Sequence, residues 1–312
     1  MQDEKIIFFG TPEFAAAILQ VLIDEKYNVI AAVSQPDRPV GRKHKIMLTP
    51  VKVLCEEHDI PCLQPDKLKE EYEDILALEP DLILTCAYGQ LIPEVVLQCP
   101  RLGCINVHPS LLPKYRGGAP MHYPILNGDH ETGVSLMEMT QAMDAGRVYA
   151  QVKLPIGPDE TEAELEPRLM VASCEMVRTY LTPYLEGKLP GVEQDESLVT
   201  FCHNITREQE KVSFQQEEIH DLYNHIRALI DWPISYGVVE GKRVKFYAVR
   251  MQEGACGSPA GTILGFKDHA MIVAAKGGTI LVKELQPEGK KRMNADAFAN
   301  GYAAEWTGKR FD

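Results

Sequence analysis

The pattern of apolar and polar positions changes near residue 205. Before that point, short continuous apolar runs alternate with stretches that have the spacing of amphipathic helices. Strands buried on both faces are predicted by the apolar runs at 5–10, 28–35, 80–89, 104–110 and 132–139. Buried strands that alternate with helices are typical of a mainly parallel sheet in a doubly wound α/β domain, which we predict for residues 1–205.

Helices are predicted between these strands. Thr11 is a candidate N-cap, and Pro12 follows at the first helical position. Further helices are predicted at 50–59 and 66–78, and a long helical segment at 159–186 closes the domain.

The second part of the chain has a different pattern of predicted elements, in which short strands follow one another closely. An exposed connector at 192–206 and a helix at 217–229 come first. Short strands separated by turn glycines are then predicted at 235–241, 242–250, 261–266, 269–278 and 279–286. Closely spaced strands of this kind are typical of a small antiparallel barrel, which we predict for residues 206–312.

Composition narrows the class of protein. A chain of 312 residues is long enough for two domains. No apolar run reaches the roughly 18 residues that span a bilayer, and the charged start is unlike a signal peptide, so we expect a cytoplasmic protein with no membrane partner. The eight cysteines are isolated, without CxxC or zinc spacing, so neither a metal site nor a redox dithiol is indicated.

Charge gives two opposite indications. The net charge of −13 argues against binding nucleic acid, where phosphate neutralisation dominates. The segment 36–52 is locally basic, however, with a single acid at Asp37. Its cations are Arg38, Arg42, Lys43, Lys45 and Lys52. A solvated loop is the usual interpretation of such a run, but its length suits a mobile loop that becomes ordered on a partner.

Candidate chemistry lies at one strand end. Asn106 and His108 are two apart in a predicted strand, so their side chains point to the same side. An amide donor beside an imidazole suits oxyanion stabilisation and proton transfer. Asp144, on a predicted loop between two strands, is placed to orient the imidazole. Taken alone, Asn-x-His on a strand is more often structural than catalytic.

The string INVHPSLLPKYRGGAP, residues 105–120, closely resembles the signature of the formyltetrahydrofolate-dependent transferases. The resemblance implies a catalytic set of Asn106, His108 and Asp144. It also implies folate contacts from the loop and from the pterin-pocket segment 85–93, which together supply Ser110, Leu111, Leu112, Pro113, Tyr88 and Gly89.

Three features resemble the branch of this family whose acceptor is methionyl initiator tRNA: the opening FFGTPEFAAAIL, the basic loop 35–52 and the tail 281–302. The resemblance implies formyl transfer from 10-formyltetrahydrofolate, a Rossmann-like domain with an OB-like barrel, and no metal. It makes Arg42 the main tRNA contact, supported by Arg38, Lys43 and Lys45. We expect a monomer.

Two departures and three alternatives stay open. Arg147 stands where the family often has an acidic residue or proline, and Pro167 is unusual in its helix. A folate-dependent N-formyltransferase acting on an amino sugar or nucleotide would share the core without needing the basic loop. A nucleotide-binding dehydrogenase would need a glycine-rich fingerprint, which is absent. A non-catalytic RNA-binding module is disfavoured by the complete Asn/His/Asp set.

Overall fold

The computed structural model describes residues 3–40 and 45–312, and these form two compact units. The first takes in the described parts of Met1–Gly117 together with Thr132–Leu154 and Pro167–Phe201. The second comprises Gly118–Glu131, Pro155–Glu166 and Cys202–Asp312. Within the described residues, no helix combines the length and apolarity that a membrane crossing requires.

Up to residue 202 the strands are β1 (Ile6–Gly10), β2 (Val29–Val33), β3 (Arg38–Val40), β4 (Lys45–Met47), β5 (Cys62–Leu63), β6 (Leu82–Cys86), β7 (Cys104–His108), β8 (Arg116–Gly117), β9 (Glu131–Glu138), β10 (Val148–Pro155) and β11 (Phe201–Cys202). The helices are α1 (Glu13–Asp24), α2 (Pro50–Glu57), α3 (Glu73–Ala77), α4 (Glu94–Leu97), α5 (His122–Leu126) and α6 (Glu162–Leu185).

The main sheet of the first unit has the order β10-β9-β7-β6-β1-β2-β5. The central pairs β6–β7, β1–β6, β1–β2 and β2–β5 are parallel, whereas β9 runs antiparallel to β7. Strands β1 and β6 are buried along their whole length, as their continuous apolar sequences require. The predicted mainly parallel α/β domain is confirmed.

Two local predictions were wrong. Helix α1 begins at Glu13 with Pro12 at its N-cap, because the Thr11 hydroxyl is used elsewhere, as a donor to the Tyr88 carbonyl at 2.9 Å. The helix predicted at 66–78 shrinks to Glu73–Ala77. The amide of Leu68, a buried residue in an otherwise exposed stretch, instead donates to Oε1 of Gln90, so this N–H group is satisfied outside a helix.

After residue 202 the elements are α7 (Ile219–Ala228), β12 (Tyr236–Val239), β13 (Lys242–Glu253), β14 (Ile263–Lys267), β15 (Ala270–Ala275), β16 (Gly278–Pro287), β17 (Met293–Asn294) and α8 (Ala295–Trp306). The sheet order is β12-β13-β16-β15-β14, and the pairs are antiparallel. Phe214, Phe246 and Phe311 pack against one another in its core, and only the rings of Phe214 and Phe311 are stacked. The predicted antiparallel β unit is confirmed, and α8 is an addition to it.

Candidate active site

The candidate chemistry lies at the carboxyl end of β7, inside the main sheet. His108 is the last residue of this strand, and Asn106 precedes it by two. Asn106 pairs with Thr85 of β6 on one side, and His108 pairs with Ser135 of β9 on the other. Because β6 and β7 are parallel, the segments that follow them leave the sheet at the same edge, where ligands of open α/β sheets bind.

Asn106 is oriented by its neighbour across the sheet. The buried Thr85 hydroxyl lies 2.8 Å from Oδ1 of Asn106 and 3.0 Å from the sulfur of Met139. A hydroxyl has one proton, and an amide oxygen is a far better acceptor than a thioether, so the proton goes to Oδ1. Among the described residues Nδ2 of Asn106 has no protein partner, which leaves its N–H donors for a ligand.

His108 is buried and held from one side. Its Nε2 lies 2.9 Å from the carbonyl oxygen of Tyr115. Since a carbonyl only accepts, Nε2 carries a proton. The other ring nitrogen, Nδ1, faces the carboxylate of Asp144 at 3.8 Å from Oδ2. This separation exceeds a direct hydrogen bond, but a bridging polar atom can lie within hydrogen-bond reach of both groups.

Asp144 lies on the loop between β9 and β10, as the sequence predicts. Its backbone has φ +49°, a region that residues with a side chain seldom occupy. The carboxylate is fixed by the Gly117 amide, which donates to Oδ2 at 2.8 Å. In the described part of the chain Oδ1 has no such protein donor, so one carboxylate oxygen is anchored and the other is available.

Arg147, which directly precedes β10, connects the end of this loop to β9. Its guanidinium bonds both carboxylate oxygens of Glu138 on β9, at 2.9 and 3.2 Å. Hydrogen bonds from Arg147 lower the pKa of Glu138 although burial opposes them. Gly146 sits so close to β9 that a Cβ there would lie 2.0 Å from the Glu138 carbonyl oxygen. Arg147 and Gly146 therefore fix the end of this loop against β9 where the chain enters β10.

The loop Ser110–Pro113 is rigidly tied to the sheet. The Ser110 hydroxyl donates to the carbonyl of Lys114 at 2.8 Å, so it is already used. Ser135 donates to the Ser110 carbonyl and accepts from the Leu112 amide. Ser110 and Leu112 are buried, whereas Leu111 and Pro113 are partly exposed. The predicted folate loop thus presents mainly apolar surface and backbone to a ligand.

The other predicted folate segment follows β6. Tyr88 is buried with its ring edge-on to Phe9, and its hydroxyl has no hydrogen-bond partner among the described residues. Burial raises the pKa of this phenol to about 12. The Tyr88 carbonyl accepts from Thr11 and Gln35, and Gly89 follows with φ +93°. These residues line a cavity of about 640 Å³.

The basic segment forms an antiparallel pair, β3 with β4, in which Arg38 faces Met47. Arg38 is exposed; Arg42 and Lys43 lie outside the described residues, and for Lys45 the description covers the backbone alone. Lys52 is committed to Asp37 at 2.6 Å. Burial opposes ionisation of Asp37, but hydrogen bonds from Lys52, Gln64 and the Thr49 amide lower its pKa.

The sequence does not predict two residues that hold the site in position, Thr85 and Gln194. Thr85, which orients Asn106, was predicted only as the first residue of the pterin-pocket segment 85–93, with no role toward Asn106. Gln194 donates to the backbone of the Asp144 loop from a stretch that reads as an exposed connector. Pairing across a sheet or between distant loops leaves no local pattern, so only the register and the three-dimensional contacts identify them.

The chain matches two known family models and curated relatives over most of its length. The formyl transferase family model matches residues 4–179, and the model of the formyl transferase C-terminal domain matches residues 204–303. Among curated proteins, the methionyl-tRNA formyltransferases of Bacillus thuringiensis subsp. konkukian and Bacillus cytotoxicus are 44% and 45% identical to this chain. Each match covers 96% of both proteins.

Solved structures with low sequence identity share the fold. An N-formyltransferase from Helicobacter canadensis, in complex with folinic acid and dTDP-3-aminofucose, aligns with TM-score 0.64 at 16% identity over 90% of this chain and 99% of that one. HypX from Aquifex aeolicus, in complex with tetrahydrofolic acid, aligns with TM-score 0.65 at 18% identity over 98% of this chain. This chain spans about half of HypX, 48% of its length.

Proposed function

This chain belongs to the formyl transferase family, and on that premise we propose that it transfers the formyl group of 10-formyltetrahydrofolate to the α-amine of methionyl initiator tRNA. The observation that carries the proposal is the arrangement at the end of β7. Asn106 offers N–H donors that have no protein partner in the described part of the chain, and His108 and Asp144 face each other at 3.8 Å on the same edge of the sheet.

The reaction exchanges one carbon–nitrogen bond for another. The neutral amine attacks the formyl carbon, a new C–N bond forms, and the carbonyl oxygen becomes negative. Nδ2 of Asn106 donates to this oxygen, and preorganised donors of this kind stabilise a tetrahedral intermediate strongly. The intermediate then collapses as the bond to N10 of the folate breaks, and N10 leaves with the electron pair.

One proton must move from the amine to N10 to complete the exchange. His108 Nδ1 and Asp144 Oδ2 are 3.8 Å apart, so an amine nitrogen placed beside them can lie within hydrogen-bond reach of both and release its proton to this pair. The Tyr115 carbonyl accepts from the Nε2–H group, so Nδ1 is the nitrogen that takes up the amine proton, which makes the ring an imidazolium. The positive imidazolium also lowers the energy of the nearby oxyanion.

The folate contacts are assigned to the two segments that follow β6 and β7. Tyr88 and Gly89 border an open cavity, and the loop Ser110–Pro113 presents Leu111 and Pro113. Apolar surface with a few fixed polar backbone groups suits a flat heteroaromatic ring such as a pterin. The carbonyl of Tyr88 is already occupied by Thr11 and Gln35, so it keeps this rim in shape and is not itself a ligand contact.

For the tRNA, we assign the acceptor end to the β3–β4 hairpin through Arg38, Arg42, Lys43 and Lys45. Lys52 is left out, because its ammonium neutralises Asp37. Asp37, which directly precedes β3, also accepts hydrogen bonds from Gln64 and from the amide of Thr49, the residue that caps α2. These bonds fix the position where β3 begins.

The C-terminal unit supplies a second set of cations. Arg243, Lys290 and Arg292 each lie over a tyrosine ring, at 4.9, 4.5 and 4.4 Å from the ring centres. Cations beside partly exposed aromatic rings suit both phosphates and bases of RNA. We therefore assign catalysis to residues 1–205 and tRNA binding to the hairpin with residues 206–312, in a cytoplasmic monomer.

The test uses the purified protein with 10-formyltetrahydrofolate and three acceptors: methionyl initiator tRNA, the same tRNA uncharged, and a nucleotide-linked amino sugar. We expect formyl-methionine on the charged tRNA and no product from the other two. Formylation of the amino sugar with none on the tRNA would establish the same-family alternative and contradict this proposal.

A further inference from the structure

The segment 194–200, called here the strap, bonds to the loop that carries Asp144 and to residues 115–116, where the Tyr115 carbonyl bonds His108. It lies in the connector between the two matched family regions, which end at residue 179 and begin at residue 204. A short 3₁₀ turn, Glu196–Leu198, gives it a fixed shape. Every residue discussed below belongs to the first compact unit.

At one end of the strap, Gln194 bonds the backbone of the Asp144 loop. Its Nε2 donates to the carbonyl oxygen of Asp144 at 2.8 Å and to that of Gly146 at 2.7 Å. Both protons of the amide are therefore used on carbonyls that flank the turn. Asp144 has φ +49°, and a residue with a side chain stays in that region only where its surroundings hold it.

A buried arginine fixes Gln194 in turn. Nε of Arg116 donates to Oε1 of Gln194 at 3.1 Å, which sets the amide so that Nε2 faces the carbonyls. The same guanidinium bonds Glu196 at 2.8 Å, so its charge is compensated although Arg116 is buried. Arg116 directly precedes Gly117, whose amide donates to the Asp144 carboxylate.

At its other end, the strap secures the partner of His108. Oγ1 of Thr200 accepts from the Tyr115 amide at 2.9 Å, and the Thr200 carbonyl accepts from the Arg116 amide at 2.9 Å. The Tyr115 carbonyl in turn accepts a hydrogen bond from Nε2 of His108. The strap thus touches the peptide units that hold the imidazole and those that hold the carboxylate, without contacting either functional group.

We propose that Gln194 is a positioning residue that acts on catalysis through Asp144, with Arg116 and Thr200 completing the strap. The inference rests on the proposed function, because it presumes that Asp144 takes part in formyl transfer. Small displacements of a catalytic group reduce turnover strongly, so loss of the two Gln194 donors should lower kcat roughly ten- to hundredfold and change KM little.

The first experiment compares Gln194→Met with Gln20→Met in steady-state formylation of methionyl initiator tRNA. Gln20 is on the exposed face of α1, where its amide bonds Asp24. We expect Gln20→Met to match the wild type and Gln194→Met to lose kcat with both KM values within twofold. Gln194→Glu is a second variant: it keeps an oxygen for Arg116 but turns the donor into an acceptor, so it should lose at least as much kcat.

A double-mutant cycle separates positioning from a general structural effect. In an Asp144→Asn background, Gln194→Met should cause no further loss, because the carboxylate it positions is gone. The same fold-loss in both backgrounds, unchanged kcat in both Gln194 variants, or a loss confined to KM would overturn the inference. If Asp144→Asn alone retained full activity, the proposed function's site assignment would fail, which is a distinguishable result.

Discussion

The hydroxyl of Thr85 lies 2.8 Å from Oδ1 of Asn106, across the parallel pair β6–β7. This contact decides which end of the amide is left for a substrate. If Oδ1 were not engaged, the side chain could turn by half a rotation and present an acceptor where the oxyanion needs a donor. The residue that orients Asn106 therefore matters to turnover although it contacts no substrate.

Thr85→Val tests this relationship. Valine has nearly the same shape but cannot donate, so the amide loses its fixed orientation, and we expect kcat to fall roughly three- to tenfold, as one hydrogen bond is worth about 1 kcal/mol. Thr132→Val is the matched control, because the buried Thr132 hydroxyl has no partner among the described residues. Equal effects of the two substitutions on steady-state kcat would contradict the role given to Thr85.

Asp144→Asn tests the carboxylate opposite His108. The amide oxygen of asparagine can still accept from the Gly117 amide, so the loop should keep its shape while the charge is lost. We expect kcat to fall roughly a hundredfold or more, the scale of general acid–base catalysis. Single-turnover rates with preformed complexes measure this step, and a loss below threefold with an unchanged melting temperature would argue against proton handling by Asp144.

Salt dependence tests the tRNA surface. Phosphate contacts release counterions, so the Kd for methionyl initiator tRNA should rise steeply with KCl in spite of the net charge of −13. Arg38→Ala should weaken binding and reduce the slope of log Kd against log salt by about one. Arg101→Ala is the control, since this exposed arginine pairs with Asp81 at the opposite edge of the sheet. Identical slopes for all three proteins would contradict the hairpin assignment.

A buried carboxyl in the second unit predicts a pH effect on stability. Burial, together with Glu166 and Asp231, raises the pKa of Glu162 to about 8 from the usual 4.5. The folded state therefore binds this proton more tightly than the unfolded chain, and the free energy of unfolding should fall as pH rises between these values.

Glu162→Gln should flatten this dependence, because glutamine does not titrate. Melting temperatures across about pH 5 to about pH 8 measure it, with Glu175→Gln, an exposed position on the same helix, as the control. The wild type and the control should lose melting temperature towards alkaline pH more steeply than Glu162→Gln. Parallel curves for the three proteins would show that Glu162 is not protonated in the folded state.

Much of the fold follows from periodicity. The runs of β1 and β6 are apolar on both faces except at Thr85, which predicts interior strands, and both strands lie where the sequence predicts them. The helix predicted at 66–78 was too long, because the amide of Leu68 bonds to Gln90 and this tertiary contact outweighs the local helical spacing. The helix Ala295–Trp306 was missed, although Asn294 caps it through its side chain. An Asn followed by alanines was a usable signal there.

For the site, the sequence predicts the candidate catalytic residues but not the residues that hold them in position. Asn106 and His108 are predicted from strand alternation and their position at its end. Their partners are not: Thr85 is identified only by strand register, and Gln194 only by the path of a connector 50 residues beyond Asp144. The prediction of Thr11 as an N-cap was wrong for the same reason. The Thr11 hydroxyl bonds the carbonyl of Tyr88, 77 residues away, and this contact outweighs the local preference for capping α1.

The most direct measurement of the central claim is the formylation rate of Asn106→Ala. The substitution removes the amide whose free N–H groups are proposed to receive the oxyanion, and it leaves His108 and Asp144 in place. We predict a kcat lower by roughly 10²–10³ with an unchanged melting temperature and little change in tRNA affinity. Turnover within threefold of the wild type would contradict the account of catalysis at the end of β7.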